Sequence, residues 1–292
     1  MRTAGIEEAT VAGDNFAGIT FTDRLLHFAG DLPDPSGLLQ GQRDRLVGRL
    51  AGLGSDGWRQ ATRCTLWDVA DLVSHMTDTN RWMLAALAAA QDPSLPSPFD
   101  GFDNRVTPHE GVVAARGRSP VDLLEDLTSG TEQVAKALAA GADPDFPLVK
   151  FTVGWYRAPF AGLHLLWDSW LHERDVLLPL GLGGDHTDEE LAAVAAYSMF
   201  FAGIVMGPFD PPVAVDALLR DRADRSFRLT LGASVHLGPR PEDDGAADHR
   251  IEGPTLATID TLFGRGPLSE AIAADEGIRG RLETVPRRML PG

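Results

Sequence analysis

The sequence predicts a mainly α protein, a helical bundle reaching to about residue 206 and then a smaller α/β unit. Three observations support this. Long segments before residue 206 place apolar side chains three and four positions apart, the period of one helix face. After Pro208 the pattern turns to alternation, the period of a strand with one buried side. Of the 292 residues, 43% are hydrophobic and 23% charged, enough for a large core and unlike a largely disordered chain.

Residues 1–32 are weakly periodic and rich in Gly, Thr and Asp, which reads as an extended arm. A first helix is expected over 38–53. A second, over 67–90, carries Val69, Leu72, Val73, Met76, Met83, Leu84 and Leu87 at helical spacing. Pro93, Pro96 and Pro98 end it, and a loop runs to about Gly117. Ser119 caps a third helix, with Pro120 at its first position, that stops near Gly141. A connector over 143–155 leads to a fourth helix over 157–180, halted by Gly181. The fifth runs over 188–206 behind Thr187, with Glu190 three residues on in the reciprocal capping pattern. Beyond it, 225–231 alternates Phe227, Leu229 and Leu231 inward, and 234–237 continues in strand style. An acidic loop over 239–248 follows, then 251–263 with helical spacing ahead of Gly264, Arg265 and Gly266. The expected division is an arm over 1–32, a helical domain over 33–206 and an α/β domain over 207–292.

Composition narrows the function. Lys and Arg number 26 against 42 Asp and Glu, a formal net charge of −16, so a phosphate backbone is a poor partner and no nucleic acid is expected. Glu7, Glu8 and Asp14 precede any apolar run, unlike a secretory signal. No stretch reaches the ~20 continuous apolar residues of a bilayer span. The single cysteine, Cys64, forms no internal disulfide. A cytoplasmic monomer or homodimer without a membrane partner is expected. There is no Gly-rich phosphate loop, dinucleotide fingerprint or nucleophile elbow, which leaves histidine and carboxylate chemistry.

The fourth helix offers that chemistry. His164, Asp168, His172 and Asp175 follow at separations of four, four and three, which keeps them on one face. Asp168 and His172, at i and i+4, can point at one ion. The face is either a solvated polar stripe or an enclosed ligand set. Leu163, Leu166, Trp167 and Trp170 line the opposite side, while Leu165, Leu171 and Val176 flank the stripe. A helix apolar around most of its circumference is usually enclosed, and an enclosed carboxylate needs a partner. On the second helix His75, beside Leu72, Val73 and Met76, is either a packing histidine or a third ligand. Asn80 is either a buried hydrogen-bonding group or a site-lining one. Two histidines and a carboxylate leave a coordination position open, the pattern of catalytic zinc, and bundles build such sites between facing helices.

The string from Trp67 through Asp68, Val69, Ala70, Asp71, Leu72, Val73, Ser74 and His75 to Met76 resembles the W-x-V-x-D-L-V-x-H-L segment of DinB-like metal-dependent proteins. More narrowly, it resembles that of the mycothiol-dependent maleylpyruvate isomerase family. Residues 168–181 are similar to that family's E-x-x-x-H-x-x-D helix, with His172 and Asp175 in place and Asp168 where the family has Glu. Residues 104–124 also share the family's look, and 251–268 resembles the end of its sterol-carrier-like C-terminal domain. The resemblance spans roughly residues 36–270.

It implies a DinB-like four-helix bundle followed by a smaller α/β sterol-carrier-like domain. It also implies a divalent metal, usually zinc, on His75, Asp168 and His172. The cosubstrate would be mycothiol, the low-molecular-weight thiol of actinobacteria, bound to the metal as its thiolate. Asp175 then either accepts the free ring N–H of His172 or is a helix-surface carboxylate. Asn80, His164 and Arg265 are the candidates to contact thiol or substrate, although an arginine between two glycines also suits a turn. Cys64 reads as a packing residue and His109, in a loop, carries no signal. Asp168 is one methylene shorter than Glu, which leaves open a site of altered geometry, a changed reaction or a lost metal.

The expected activity is a metal-dependent thiol S-transferase that adds mycothiol, or a similar thiol, to a small electrophile. The alternative is a mycothiol-dependent maleylpyruvate-type cis–trans isomerase. A third reading, of another class, is a non-catalytic small-molecule-binding or resistance protein with a vestigial metal site.

Overall fold

The computed structural model describes residues 9–10, 20–21, 26–29, 33–104, 106–152, 154–221, 226–241 and 245–289. Its larger part is helical: α1 (Pro35–Leu50), α2 (Ser55–Trp58), α3 (Val69–Gln91), α4 (Thr107–Ala115), α5 (Pro120–Ala140), α6 (Ala158–Leu177) and α7 (Asp188–Met206). The bundle is formed by α1, α3, α5 and α6, with α1 against α5 and α6, and α3 against α5 and α6.

Capping explains most of the boundaries. Asp34 accepts from the Ser36 amide at 2.9 Å, and Pro35 fills the first helical position, so α1 begins earlier than expected and ends before Gly52. Asp68 accepts from the Asp71 amide at 2.9 Å, so α3 starts at Val69 and Trp67 lies outside it. Ser119 caps α5 through the Asp122 amide at 3.2 Å. The Thr187–Glu190 box holds the start of α7, and Gly207, at φ 80°, ends it.

Two expected loops contain structure. The 93–117 segment holds α4, and the 143–155 connector holds a hairpin of β4 (Val149–Phe151) and β5 (Gly154–Tyr156). Helix α4 has 9 residues with only Pro108 and Val112 buried, and each strand has 3, which leaves little repeating pattern to read.

The remaining chain forms a six-stranded sheet in the order β10-β9-β6-β7-β8-β3. Its strands are β3 (Leu26–Phe28), β6 (Val213–Leu219), β7 (Phe227–Leu231), β8 (Val235–Pro239), β9 (His249–Gly253) and β10 (Ala273–Ala274). The described part of the expected arm thus serves the sheet: β3 runs parallel to β8, Leu26 opposite Val235. Two shorter strands, β1 (Ala9–Thr10) and β2 (Thr20–Phe21), pair with each other, and the other residues of the arm lie outside the described ones. The segment 251–263 is not one helix. Pro254 cannot continue the ladder, so β9 ends at Gly253 and α8 (Thr255–Leu262) begins behind it. Short helices α9 (Leu268–Ala271), α10 (Glu276–Leu282) and α11 (Thr284–Met289) complete the unit.

Helix α7 joins the two halves. It packs on α6 at one side and on β7, β8, α8 and α11 at the other, which is why it is apolar all round. By length and composition it could cross a membrane, but 89% of its apolar window is buried in protein. Arg45 of α1 reaches both Glu173 of α6 and Glu190 of α7 at 2.8 Å, fixing the three helices together.

Gly253 marks a tight crossing. A Cβ there would lie 2.5 Å from the Ala271 carbonyl oxygen and 2.6 Å from Thr258 Oγ1. Gly253→Ala is expected to destabilise the protein by about 1–3 kcal/mol, read as a lowered midpoint in urea unfolding; an unchanged midpoint would show that α9 yields freely.

Candidate functional site

Helices α3 and α6 pack side by side and bring three donors together. His172 Nε2 lies 3.4 Å from Asp168 Oδ1, and His75 Nε2 lies 3.9 Å from Asp168 Oδ2. All three groups offer ligand atoms within 4.8 Å of one another. A tetrahedral zinc with bonds of about 2.0–2.1 Å sets its donors about 3.4 Å apart, so the spacing suits an ion of that size. The surroundings agree. Asp168 Oδ2 and His75 Nδ1 are buried without a hydrogen-bond partner among the described residues, which is costly for a carboxylate oxygen unless a cation or donor meets it. Asp168 keeps 22% of its side chain accessible, while both histidines are buried.

One step behind His172 lies Asp175, whose side chain is fully buried. Its Oδ2 faces His172 Nδ1 at 3.1 Å and accepts from Arg265 Nη2 at 2.6 Å and Cys64 Sγ at 3.3 Å. Oδ1 accepts from Arg63 Nε at 2.9 Å and Arg265 Nε at 3.2 Å. Arg63 also bonds Asp260 of α8, which takes Arg174 Nη2 at 2.7 Å as well. Cys64, His172 and Asp175 form a second group with metal-ligand spacing. Both Asp175 oxygens are already engaged, whereas Asp168 Oδ2 is not, which favours the first group as the cation site.

Residues 39–177 match the family described as the mycothiol maleylpyruvate isomerase N-terminal domain. This helical domain belongs to that family. Two solved structures, of the mycothiol-dependent maleylpyruvate isomerase and of a histidine-to-alanine mutant of it, each align at a TM-score of 0.57 and 14% identity. Each alignment covers 85% of this chain and 95% of the other. At that identity the likeness speaks for a shared fold, which extends beyond the N-terminal domain into the sheet-containing part. No curated protein sequence matches this chain.

Within the mycothiol maleylpyruvate isomerase N-terminal domain, the electrostatics separate the two histidines. Burial, then the charge on His172, pulls His75 down to about 3 against the opposing pull of Asp168, so its imidazole is neutral and ready to donate a lone pair. Burial also works against charge on His172, but Asp168, Asp175 and Cys64 outweigh it and raise its pKa well above the usual value. Burial pushes both carboxyls up, yet the histidines hold Asp168, and Arg265 with His172 holds Asp175, below the ordinary carboxylate range.

The other sequence-predicted residues are placed as follows. His164 does not meet the three donors; its Nδ1 is 2.7 Å from the Tyr197 hydroxyl, and burial lowers its pKa to about 4. Asn80 donates to Thr131 Oγ1 at 3.2 Å across to α5. Arg265 is committed to Asp175 rather than pointing free. His109 lies on α4, not in a loop, and accepts from Trp67 Nε1 at 3.3 Å. Cys64 packs beside Asp175 and His172.

Sequence reasoning overlooked Arg43, Arg63 and Asp260. Arg43 is 1% exposed, and none of its guanidinium nitrogens has a partner among the described residues. Burial lowers its pKa to about 10 while Asp168 and Glu173 oppose the shift. Its signal was present, because Arg43 interrupts the apolar series Leu39, Leu46 and Leu50 of α1. Arg63 and Asp260 lie 197 positions apart, and no local period could join them.

Two outcomes are expected. Metal binding requires neutral imidazole, and His172 is protonated below its raised pKa, so metal affinity should climb roughly tenfold per pH unit through neutrality. His75, already neutral above about 3, adds no dependence there. Chelator competition at several pH values measures the slope, and a flat profile would contradict it. Asp175→Asn removes the charge that orients His172 and should weaken metal affinity about 10–100-fold in the same assay.

Proposed function

We propose that this protein holds a divalent cation, zinc by the N/O character of its donors, on His75, Asp168 and His172, and uses it for thiol transfer. The thiol is mycothiol or a similar low-molecular-weight thiol, and the product is its adduct with a small electrophile. The observation that carries this reading is the convergence of three donor atoms within 4.8 Å around an unpartnered buried carboxylate oxygen, inside a domain of this family.

A cation bound there acidifies a thiol that reaches it, and the thiolate is the nucleophilic form. The chain's own residues do the rest. Asp175 keeps the His172 proton on Nδ1, which leaves Nε2 facing Asp168. Neutral His75 presents Nε2 from the neighbouring helix. Asp168 stays ionised across the working range and balances part of the cation's charge. In the transfer one S–C bond forms, the displaced π pair moves to the neighbouring atom, and that atom takes the proton the thiol lost.

Maleylpyruvate-type isomerisation is the second reading, supported by the activity named for the two structural relatives. It differs by releasing the thiol again with the double bond reset. Product mass separates the two, since transfer adds the mass of the thiol and isomerisation leaves the substrate mass unchanged. The vestigial-site reading requires that protein purified without chelator neither contain nor take up a divalent ion.

His172→Ala is expected to reduce metal content to background and turnover by about 10³-fold or more, as loss of a nucleophile's activation does. Metal quantitation together with adduct mass spectrometry checks it. Full turnover in this variant would refute the ligand assignment.

A further inference from the structure

The rim of the three-donor site is a chain of aromatic rings. Trp67 lies 4.9 Å, centroid to centroid, from the His75 ring and 6.5 Å from that of His172. On the other side of His75, Trp82 stands edge-on at 6.0 Å and passes the contact to Phe102 at 5.2 Å. Phe99 and Phe151 continue it at 5.4 and 4.6 Å, and Phe151 meets His164 at 4.7 Å. The ring contacts therefore leave α3 at one proposed ligand and return to α6 one turn before another. Trp67, Trp82 and Phe102 pack on the core yet are only half-buried, so each keeps part of its surface exposed.

Charge around the site points the same way. A small dicarboxylate is normally gripped by guanidinium groups free to pair with it. Here Arg63 and Arg265 are paired with Asp175, Arg174 with Asp260 and Arg116 with Asp71. Arg43 is the exception. It approaches from α1, is 1% exposed, and has its charge set against Asp168 and Glu173. An incoming dianion would have to break one of these pairs, or reach a guanidinium that is 1% exposed.

We infer that the electrophile this site selects is uncharged and planar, an aromatic or conjugated molecule held against Trp67, Trp82 and Phe102, rather than a small dicarboxylate. The inference rests on the thiol-transfer reading of the same site. An α,β-unsaturated ketone bearing an aryl group fits. Sulfur bonds the β carbon, the π pair moves toward the carbonyl, and the α carbon ends with the thiol's proton, so nothing leaves.

The test uses the metal-loaded protein with mycothiol. Benzylideneacetone and maleate are compared as electrophiles, each rate divided by its uncatalysed rate with the same thiol, and 2-naphthol, which cannot react, is titrated by calorimetry. Benzylideneacetone should be favoured at least tenfold in kcat/KM. Trp82→Ala should weaken 2-naphthol binding about fivefold or more and raise KM for benzylideneacetone more than it lowers kcat. Phe102→Ala, in a half-buried loop position, does the same should Trp82→Ala fail to fold. A preference for maleate, or 2-naphthol binding indifferent to the ring substitution, overturns the inference. Absence of turnover with every electrophile would instead refute thiol transfer alone, because the 2-naphthol titration still decides the ring wall.

Discussion

The site and the domain arrangement both depend on one buried carboxylate. Asp175 has no solvent contact and must find every partner within the protein. Leaving such a charge unpaired costs several kcal/mol, about 3–5 when one member of a buried pair is removed. Arg63, Arg265, Cys64 and His172 meet that demand together. Arg265 comes from the segment after α8, so the same carboxylate that turns His172 toward Asp168 also seats the C-terminal unit on the bundle. The orientation of His172 and the docking of the C-terminal unit are therefore one interaction. Asp260 extends it by taking Arg63 and Arg174.

This coupling explains what was legible in the sequence. Helices with a full apolar period and a recognisable cap were readable: Thr187 and Glu190 define α7 to the residue, and Ser119 with Pro120 defines the start of α5. The shared face of α6 was readable too, because His172 follows Asp168 by one helical turn and Asp175 follows His172 by slightly less. Local spacing could place them on one face. It could not say that the face is enclosed, since enclosure is decided by α3, by the loop carrying Arg63 and by Arg265, 90 positions beyond Asp175.

Failures have equally physical causes. Within 251–263 the β9 residues Ile251 and Gly253 are buried, while α8 buries Thr255, Thr258, Ile259 and Leu262, so strand and helix patterns run together and only Pro254 marks the break. Strand β6 is buried along most of its length between β7 and β9, which erases alternation. Part of the arm joins the sheet through backbone pairing of β3, and such pairing has little need of a side-chain pattern.

The net charge of −16 also needs to be located. Around the donors Asp175 is met by Arg63 and Arg265, Asp260 by Arg63 and Arg174, and Glu173 by Arg45, while Arg43 is buried without a hydrogen-bond partner among the described residues. A divalent ion entering here would add its charge beside these ion pairs and the aromatic rings, partly offset by Asp168. Field strength rises as the dielectric falls, so that charge acts most strongly on whatever lies next to it. The group it stabilises best is a soft anion delivered by a ligand that is otherwise neutral where it touches the rings. With Arg63, Arg174 and Arg265 paired, a cation held there would be the main local pull on an approaching thiol under the proposed reading, and recognition of its partner would fall to Trp67, Trp82 and Phe102.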